Sequence, residues 1–387
     1  MTEALRDRAA IVGVGITPQG KVPGCTNLTL QIDAFKRALD DAGLHKEQID
    51  GLLTEPALTE MGWSLDYLRL GQALGINPAF TASVMQGGAT AGCLVQMAAL
   101  AVTSGMASYV ACVFGDAART GVARGSRSTE RAIGGDDDSW GIWGAFGPVT
   151  WSAVSASRHM ALYGTTSVQL AEVAVAARRH AALHPLAVMR EPITIADHQA
   201  SRWIVEPLRL LDCCLITDGG VCLIVTTAER ARDLRQPVVT IAGMGQSFTT
   251  QNLEREDWWY GPHQKEAVDR AYAMAGLGPR DIQVAELYDN FTISVIMWLE
   301  HAGFCGVGEG GPFVEGGRIQ LGGALPVNTH GGHLSAAHPE GWWTIAEGVE
   351  QVRGTAGARQ VPGAEVCLAT GRGMLLNCAS ALVLRRG

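Results

Sequence analysis

Ala34-Phe-Lys-Arg-Ala-Leu-Asp-Asp-Ala-Gly-Leu44 returns 233 residues later as Ala267-Val-Asp-Arg-Ala-Tyr-Ala-Met-Ala-Gly-Leu277, with Ala34, Arg37, Ala38, Ala42, Gly43 and Leu44 all repeated. Ile49 and Ile282 keep that offset. Each copy reads as a helix that stops at Ala-Gly-Leu, with glycine where a left-handed cap is favoured. Upstream, the strand-like Ile11-Val-Gly-Val-Gly15 parallels Val239-Thr-Ile-Ala-Gly-Met-Gly245, and Gly13 and Gly15 recur at an offset of 230, as a small insertion allows. Both halves therefore open as strand, loop, helix and second apolar strand, the mark of a duplicated unit. Alternating strands and helices imply layered α/β architecture with the strands buried between helices. The join falls near Ala228 to Gln236, a charged stretch between the apolar runs Val221–Val225 and Val238–Ala242, so units of 1–235 and 236–387 are expected.

Composition agrees with two fused halves, because 387 residues exceed the usual single core. The formal charge of −8 comes without any basic block or stripe, which argues against nucleic acid as a partner. No apolar run approaches membrane-spanning length, and Met1 to Arg8 is charged rather than signal-like. A cytoplasmic protein without a membrane span is expected. The nine cysteines include no CxxC pair, so neither a disulfide framework nor a zinc ribbon is indicated.

Between the repeated openings, about 117–211, the patterning becomes irregular and marks an insertion. Gly134 to Gly147 reads as a long loop, whereas Ser157 to Gly164 and Val168 to His180 look helical. The strongest functional signal lies in the second half, in Thr329-His-Gly-Gly-His-Leu-Ser-Ala-Ala-His-Pro-Glu-Gly341. Ile345, Val349 and Val352 follow at helical spacing, so Pro339 is expected in the first helical turn and His338 at a helix N-terminus. Such a place favours neutral imidazole and negative charge on a bound group.

Taken with Ala10-Ile-Val-Gly-Val-Gly15, Arg179-His180-Ala181, Asp212-Cys213-Cys214 to Asp218-Gly219-Gly220, Glu286 to Phe291 and Gly371 to Asn377, these motifs stand in family order. The chain resembles the thiolase superfamily, in the branch of the sterol carrier protein X thiolases and lipid-transfer-like proteins. That resemblance implies a duplicated thiolase fold, five-layered αβαβα with an inserted loop domain, a homodimer, and an acyl-CoA thioester as substrate with no further cofactor.

Departures from the family pattern redirect the chemistry. Aligning Gln86 to Ala98 with the helix that carries the family's nucleophilic cysteine puts Gly88 at that position. Cys93 lies five residues on and points elsewhere at helical spacing. A glycine there removes side-chain volume, leaving room for a bulkier substrate or exposing backbone N–H groups to it. In Glu286-Leu-Tyr-Asp-Asn-Phe291, Tyr288 stands where related thiolases carry histidine or asparagine. The family's second cysteine is missing too, since Cys367-Leu-Ala-Thr-Gly-Arg-Gly373 leaves Ala369 or Thr370 near that place.

An acyl-CoA pocket without a nucleophile suits retro-aldol cleavage, which needs an acid/base at the β-hydroxyl and donors for the enolate. The pattern resembles bacterial steroid side-chain aldolases, which work with a partner carrying an OB-fold and a zinc ribbon. The catalytic residues it implies are Tyr288, as acid/base or as hydrogen-bond donor, His338 at the thioester or enolate oxygen, and His333 at second rank. Substrate or CoA contacts are expected from Gly88, Asn290, Gly332, Arg372, Gly373 and Arg179. Asp289 and Asn290 are expected to fix the tyrosine turn, and Trp342 and Trp343 to pack in the core. Lys21, Lys36, Lys46 and Lys265 lie in polar or amphipathic surroundings unsuited to an imine, and the family match accounts for His330, His333 and His338 without metal. Two alternatives stay open: a non-catalytic acyl-CoA or lipid-binding protein, and a thiolase or acyltransferase using Cys93 or Cys367.

Overall fold

The computed structural model describes residues 2–57, 65–120, 147–249, 257–373 and 378–387. The first half runs β1 (Ala9–Ile16), α1 (Asn27–Ala42), β2 (Gly51–Glu55), α2 (Asp66–Leu74), β3 (Phe80–Ser83), α3 (Thr90–Thr103) and β4 (Val110–Ala117). The insertion follows with α4 (Gly147–Tyr163), α5 (Ser167–Leu183) and a ribbon of β5 (Trp203–Val205) and β6 (Leu208–Arg209), after which β7 (Asp218–Thr227) completes the half. The second half runs β8 (Val239–Phe248), α6 (His263–Ala275), β9 (Val284–Glu286), α7 (Thr292–His301), α8 (Trp342–Arg353), β10 (Val366–Gly373) and β11 (Cys378–Arg386). The helix read over 157–164 overlaps the end of α4, which stops at Tyr163, and the one read over 168–180 falls within α5. Residues 134–146 of the loop reading and 374–377 of the terminal motif lie outside the described residues.

The strands stand in the order β3-β2-β4-β7-β1-β8-β11-β10-β9. Outward from the centre, β1-β7-β4-β2 is matched by β8-β11-β10-β9, which is the duplication in space. The two sets meet where β1 pairs antiparallel with β8 through Ala10↔Thr240 and Ile11↔Val239, so one hydrogen-bonded sheet runs through both halves.

Three apolar clusters set the layers. Ala34, Phe35 and Ala38 of α1 cover the outer face of the first strands with Ala10, Val12 and Val113. Leu94 and Val95 of α3, with Trp342, Trp343 and Val349 of α8, fill the centre between Ile11, Phe114, Ile241 and Leu384. Ala267 and Ala271 of α6 and Trp298 of α7 cover the second strands with Ala242, Leu368 and Val383. The stack is helix, strand, helix, strand, helix, the five layers expected from the resemblance. Trp342 and Trp343 are fully buried in its centre, in the core packing expected of them.

Close approach explains the repeated residues. A Cβ at Gly13 would lie 2.5 Å from the Ala38 carbonyl oxygen, and one at Gly15 would lie 2.1 Å from that of Ala34. In the second half, Gly243 and Gly245 stand in the same relation to Ala271 and Ala267, at 2.0 and 2.1 Å. Each helix thus lies directly on strand backbone, which requires glycine below and alanine above. Both helices end in left-handed glycine, Gly43 at φ 71° and Gly276 at φ 67°. Replacing Gly245 with valine should lower stability by about 1–3 kcal/mol in a denaturant titration, the range for overpacking a tight core. Gly278→Ala, where nothing lies within 4 Å, should change it far less.

Candidate active site

The two motifs that stand apart in sequence are stitched together by side-chain bonds. Asn328 brackets Leu287, its Nδ2 donating to the Leu287 carbonyl at 2.8 Å and its Oδ1 accepting from the Leu287 N–H at 2.6 Å. Glu286 accepts from the Thr329 N–H and hydroxyl at 3.0 and 2.9 Å and pairs with His330 Nδ1 at 2.9 Å. Burial opposes charge on His330, but the Glu286 bond and the charges of Glu286, Glu347 and Asp289 together outweigh it and raise the imidazole pKa. Asp289 accepts from the His333 backbone at 2.8 Å and from its Nδ1 at 2.7 Å. His333 Nε2 then accepts from the Gly341 N–H at 3.1 Å. Both ring nitrogens of His333 are therefore occupied by the fold, and it positions the loop.

The loop differs in shape from its sequence reading. Gly332–Ala336 forms a π-helical turn, and α8 begins only at Trp342 with Gly341 as its cap. Pro339 therefore precedes the helix, and its carbonyl accepts from the Trp342 N–H at 2.9 Å. Between them Glu340 and Gly341 are both left-handed, with φ 43° and 85°. Consecutive left-handed residues make a tight turn, and the sequence pattern missed it because a glutamate rarely takes that conformation. His338 consequently sits outside the first helical turn.

Tyr288 fills the place that Gly88 vacates. A Cβ built on Gly88 would lie 2.1 Å from the Tyr288 Cε2 and Cζ atoms and 2.3 Å from the hydroxyl oxygen. The missing volume is thus taken by the phenol ring, not left open for substrate. Cβ atoms at Gly341 and Gly371 would lie 2.7 and 2.5 Å from the Gly88 carbonyl oxygen, and one at Gly373 would lie 1.8 Å from that of Gln86. Gly373 therefore serves close backbone packing. Gly332 serves the Asp289 contact, since a Cβ there would meet its carboxylate.

A hydrogen-bond chain converges on the tyrosine. Cys214 Sγ lies 3.8 Å from His338 Nδ1, His338 Nε2 lies 3.3 Å from the Tyr288 hydroxyl, and that hydroxyl donates to Glu340 Oε2 at 3.4 Å. The His338 backbone is anchored by donation to the Thr217 hydroxyl at 3.0 Å. Burial, with a smaller contribution from His333, holds the His338 pKa well below its usual value, so the ring is neutral. The neutral imidazole expected from the sequence is present, but its cause is desolvation rather than a helix dipole. Burial and the Glu340 charge push the Tyr288 phenol well above 10, against the nearby Arg372 cation. Glu340 itself is raised to about 7 by burial and by Asp116. Glu55, bonded to Trp342 Nε1 at 2.5 Å, is raised by burial and by Glu340.

Similarity to known proteins corresponds to this geometry. Residues 245–386 match the family model described as thiolase C-terminal domain-like. A 17-hydroxy-3-oxo-4-pregnene-20-carboxyl-CoA lyase of Mycobacterium tuberculosis is 41% identical over 95% of this chain and 96% of its own. The chain belongs to the thiolase superfamily. Within it, a steroid side-chain-cleaving aldolase of Thermomonospora curvata is 40% identical over 90% of each chain. The solved Ltp2–ChsH2(DUF35) aldolase superposes with a TM-score of 0.88 at 38% identity, covering 99% of this chain and 98% of that one. This thiolase-superfamily chain is accordingly a carbon–carbon lyase.

The other expected residues sit on several elements. Arg372 is buried, donates to Asn290 Oδ1 at 2.8 Å and Ser294 Oγ at 2.7 Å, and its charge acts on Tyr288. Asn290 is held by that guanidinium. Arg178 and His180 are buried, bonded to Ser335 and to the Asn328 carbonyl, while Arg179 is exposed and donates to Gln320. Cys93 is raised to about 12 by burial and Cys367 well above 9, so neither offers a ready thiolate. Glu340 and Cys214 were missed as site residues, although both stood inside motifs that the sequence singled out. The Gly88–Tyr288 exclusion predicts strong coupling. Gly88→Ala should cost roughly 1–3 kcal/mol in the native background and almost nothing beside Tyr288→Ala, measured by denaturation. Additive penalties would refute the close contact.

Proposed function

We propose that this lyase cleaves a β-hydroxyacyl-CoA by a retro-aldol reaction, giving a shorter acyl-CoA and a ketone or aldehyde. The observation that carries this reading is the phenol of Tyr288 seated over Gly88, bonded to His338 and Glu340, where acyl transfer would require a thiolate. The Cα–Cβ bond breaks as the β-hydroxyl loses its proton, and the bond pair becomes the thioester enolate. Tyr288 stands at the β-hydroxyl, and neutral His338 donates its Nε2 proton to the developing oxygen charge. A neutral donor suits that task because it need not lose a charge in a dry site. The reaction as written uses no cofactor beyond the CoA carried by the substrate.

The two curated relatives above are named for steroid side-chain cleavage, which supports a bulky polycyclic acyl group here. The solved relative is a complex with a ChsH2(DUF35) chain, which supports a partner protein here. We propose that this partner carries an OB-fold and a zinc ribbon and that the chain works as a cytoplasmic homodimer. Among the described residues no helix is long and apolar enough to cross a membrane. The test is incubation of the protein, alone and with such a partner, with candidate β-hydroxyacyl-CoA thioesters, following carbonyl release and the shorter acyl-CoA. Tyr288→Phe keeps the ring over Gly88 and removes the hydroxyl. It should lower kcat by about 10²–10⁴-fold with an unchanged melting temperature, and unaltered turnover would sink the assignment.

A further inference from the structure

We propose that Glu340 is the terminal proton acceptor of this site, drawing the β-hydroxyl proton through the Tyr288 hydroxyl and returning it to Cα after the carbon–carbon bond has broken. The proposal rests on the retro-aldol reading and supplies the base that reading lacks.

With Glu340 ionised, the hydrogen-bond chain has one self-consistent direction. A thiol on Cys214 donates to His338 Nδ1, so the neutral ring carries its proton on Nε2 and donates to the Tyr288 oxygen. The Tyr288 O–H is then free to donate to Glu340 Oε2 at 3.4 Å. Glu340 Oε1 lies 3.7 Å from His338 Nε2, so the carboxylate closes the chain against both partners. Tyr288 and Cys214 are neutral donors, and burial opposes protonation of the neutral His338 ring, so the carboxylate is the acceptor that the chain favours. A substrate β-hydroxyl that donates to the Tyr288 oxygen would displace the His338 N–H and free it for the thioester oxygen.

Backbone geometry marks the same residue. Glu340 holds φ 43°, a left-handed conformation that non-glycine residues rarely keep outside functional or tightly determined sites. Its side chain is 8% exposed, and the turn aims it at the tyrosine rather than at solvent. The groups facing it are Tyr288, His338, Cys214, Asp116 from β4 and Glu55 from β2. Burial and Asp116 raise the carboxyl to about 7, which suits a base exchanging protons near neutrality.

The balance closes without a co-reactant. The β-hydroxyl proton passes to the Tyr288 oxygen as the Tyr288 proton passes to Glu340. The Cβ–O bond becomes a carbonyl, and the Cα–Cβ pair becomes the enolate. The same relay in reverse protonates Cα, leaving acyl-CoA, a ketone or aldehyde, and Glu340 ionised again.

The experiment measures pH profiles of cleavage for the full-length protein with its partner. Wild-type kcat/KM should fall as pH drops through about 7, because protonation removes the acceptor. Glu340→Gln should lose about 10²–10⁴-fold in kcat with KM nearly unchanged and should abolish that acid limb, while Glu340→Asp recovers part of the rate. Asp116→Asn, which removes a neighbouring negative charge, should move the limb to lower pH and guards against a Glu340→Gln variant that fails to fold. Wild-type cleavage with the limb intact in Glu340→Gln would overturn this proposal and leave the retro-aldol reading standing. No cleavage by wild type would overturn both.

Discussion

The site depends on a steric exclusion: Gly88 and the ring of Tyr288 claim the same volume. With a Cβ predicted 2.1 Å from the ring, no side chain at position 88 can coexist with the phenol where it stands. The helix terminus that presents a nucleophile in thiolases of this fold therefore presents bare backbone here. The tyrosine enters from the opposite half, carried by the segment after β9. One substitution in each half converts an acyl-transfer geometry into one built on a phenol, and the tyrosine is tolerable only beside the glycine.

A second constraint follows from where the ring lies. The centre of the stack is dry, filled by Trp342, Trp343 and apolar residues of α3 and the strands. Desolvation there keeps the His338 imidazole uncharged and the Tyr288 phenol protonated, and it raises the Glu340 carboxyl. The site thus holds the neutral His338 and Tyr288 beside carboxyls that burial raises, an arrangement suited to moving a proton rather than to stabilising a thiolate. The polar bonds from Glu286, Asp289 and Asn328 secure the surrounding loops, because buried polar groups are costly unless paired.

Much of this was legible in the linear chain. The repeat of Gly13 and Gly15, Ala34 and Ala38 at nearly one offset announced the duplicated α/β layers, because helix-on-strand contact demands small residues on both sides. Tyr288 and His338 were legible from departure from, or agreement with, a family motif. His333 was legible as a site residue, yet its role as a satisfied positioning group required knowing that Asp289 and Gly341 take its two nitrogens. A glycine-flanked Arg372 reads as a loop in sequence, whereas the strand β10 buries it against Asn290 and Ser294. Glu340 was passed over because helical periodicity pointed to a continuous helix from Pro339, and a left-handed glutamate leaves no mark in a hydrophobic pattern.

By itself the sequence determined the duplicated layers, the missing cysteines and the identity of the groups able to donate or accept protons. Those properties are local or periodic, and they survive in one dimension. Only the tertiary structure decided that Tyr288 occupies the space over Gly88 and that Cys214 and Glu340 stand at the two ends of the same chain. These are relations between residues as much as 200 positions apart, set by how the two halves pack around a dry centre, where a distance of an ångström or two fixes both the permitted side chain and its charge.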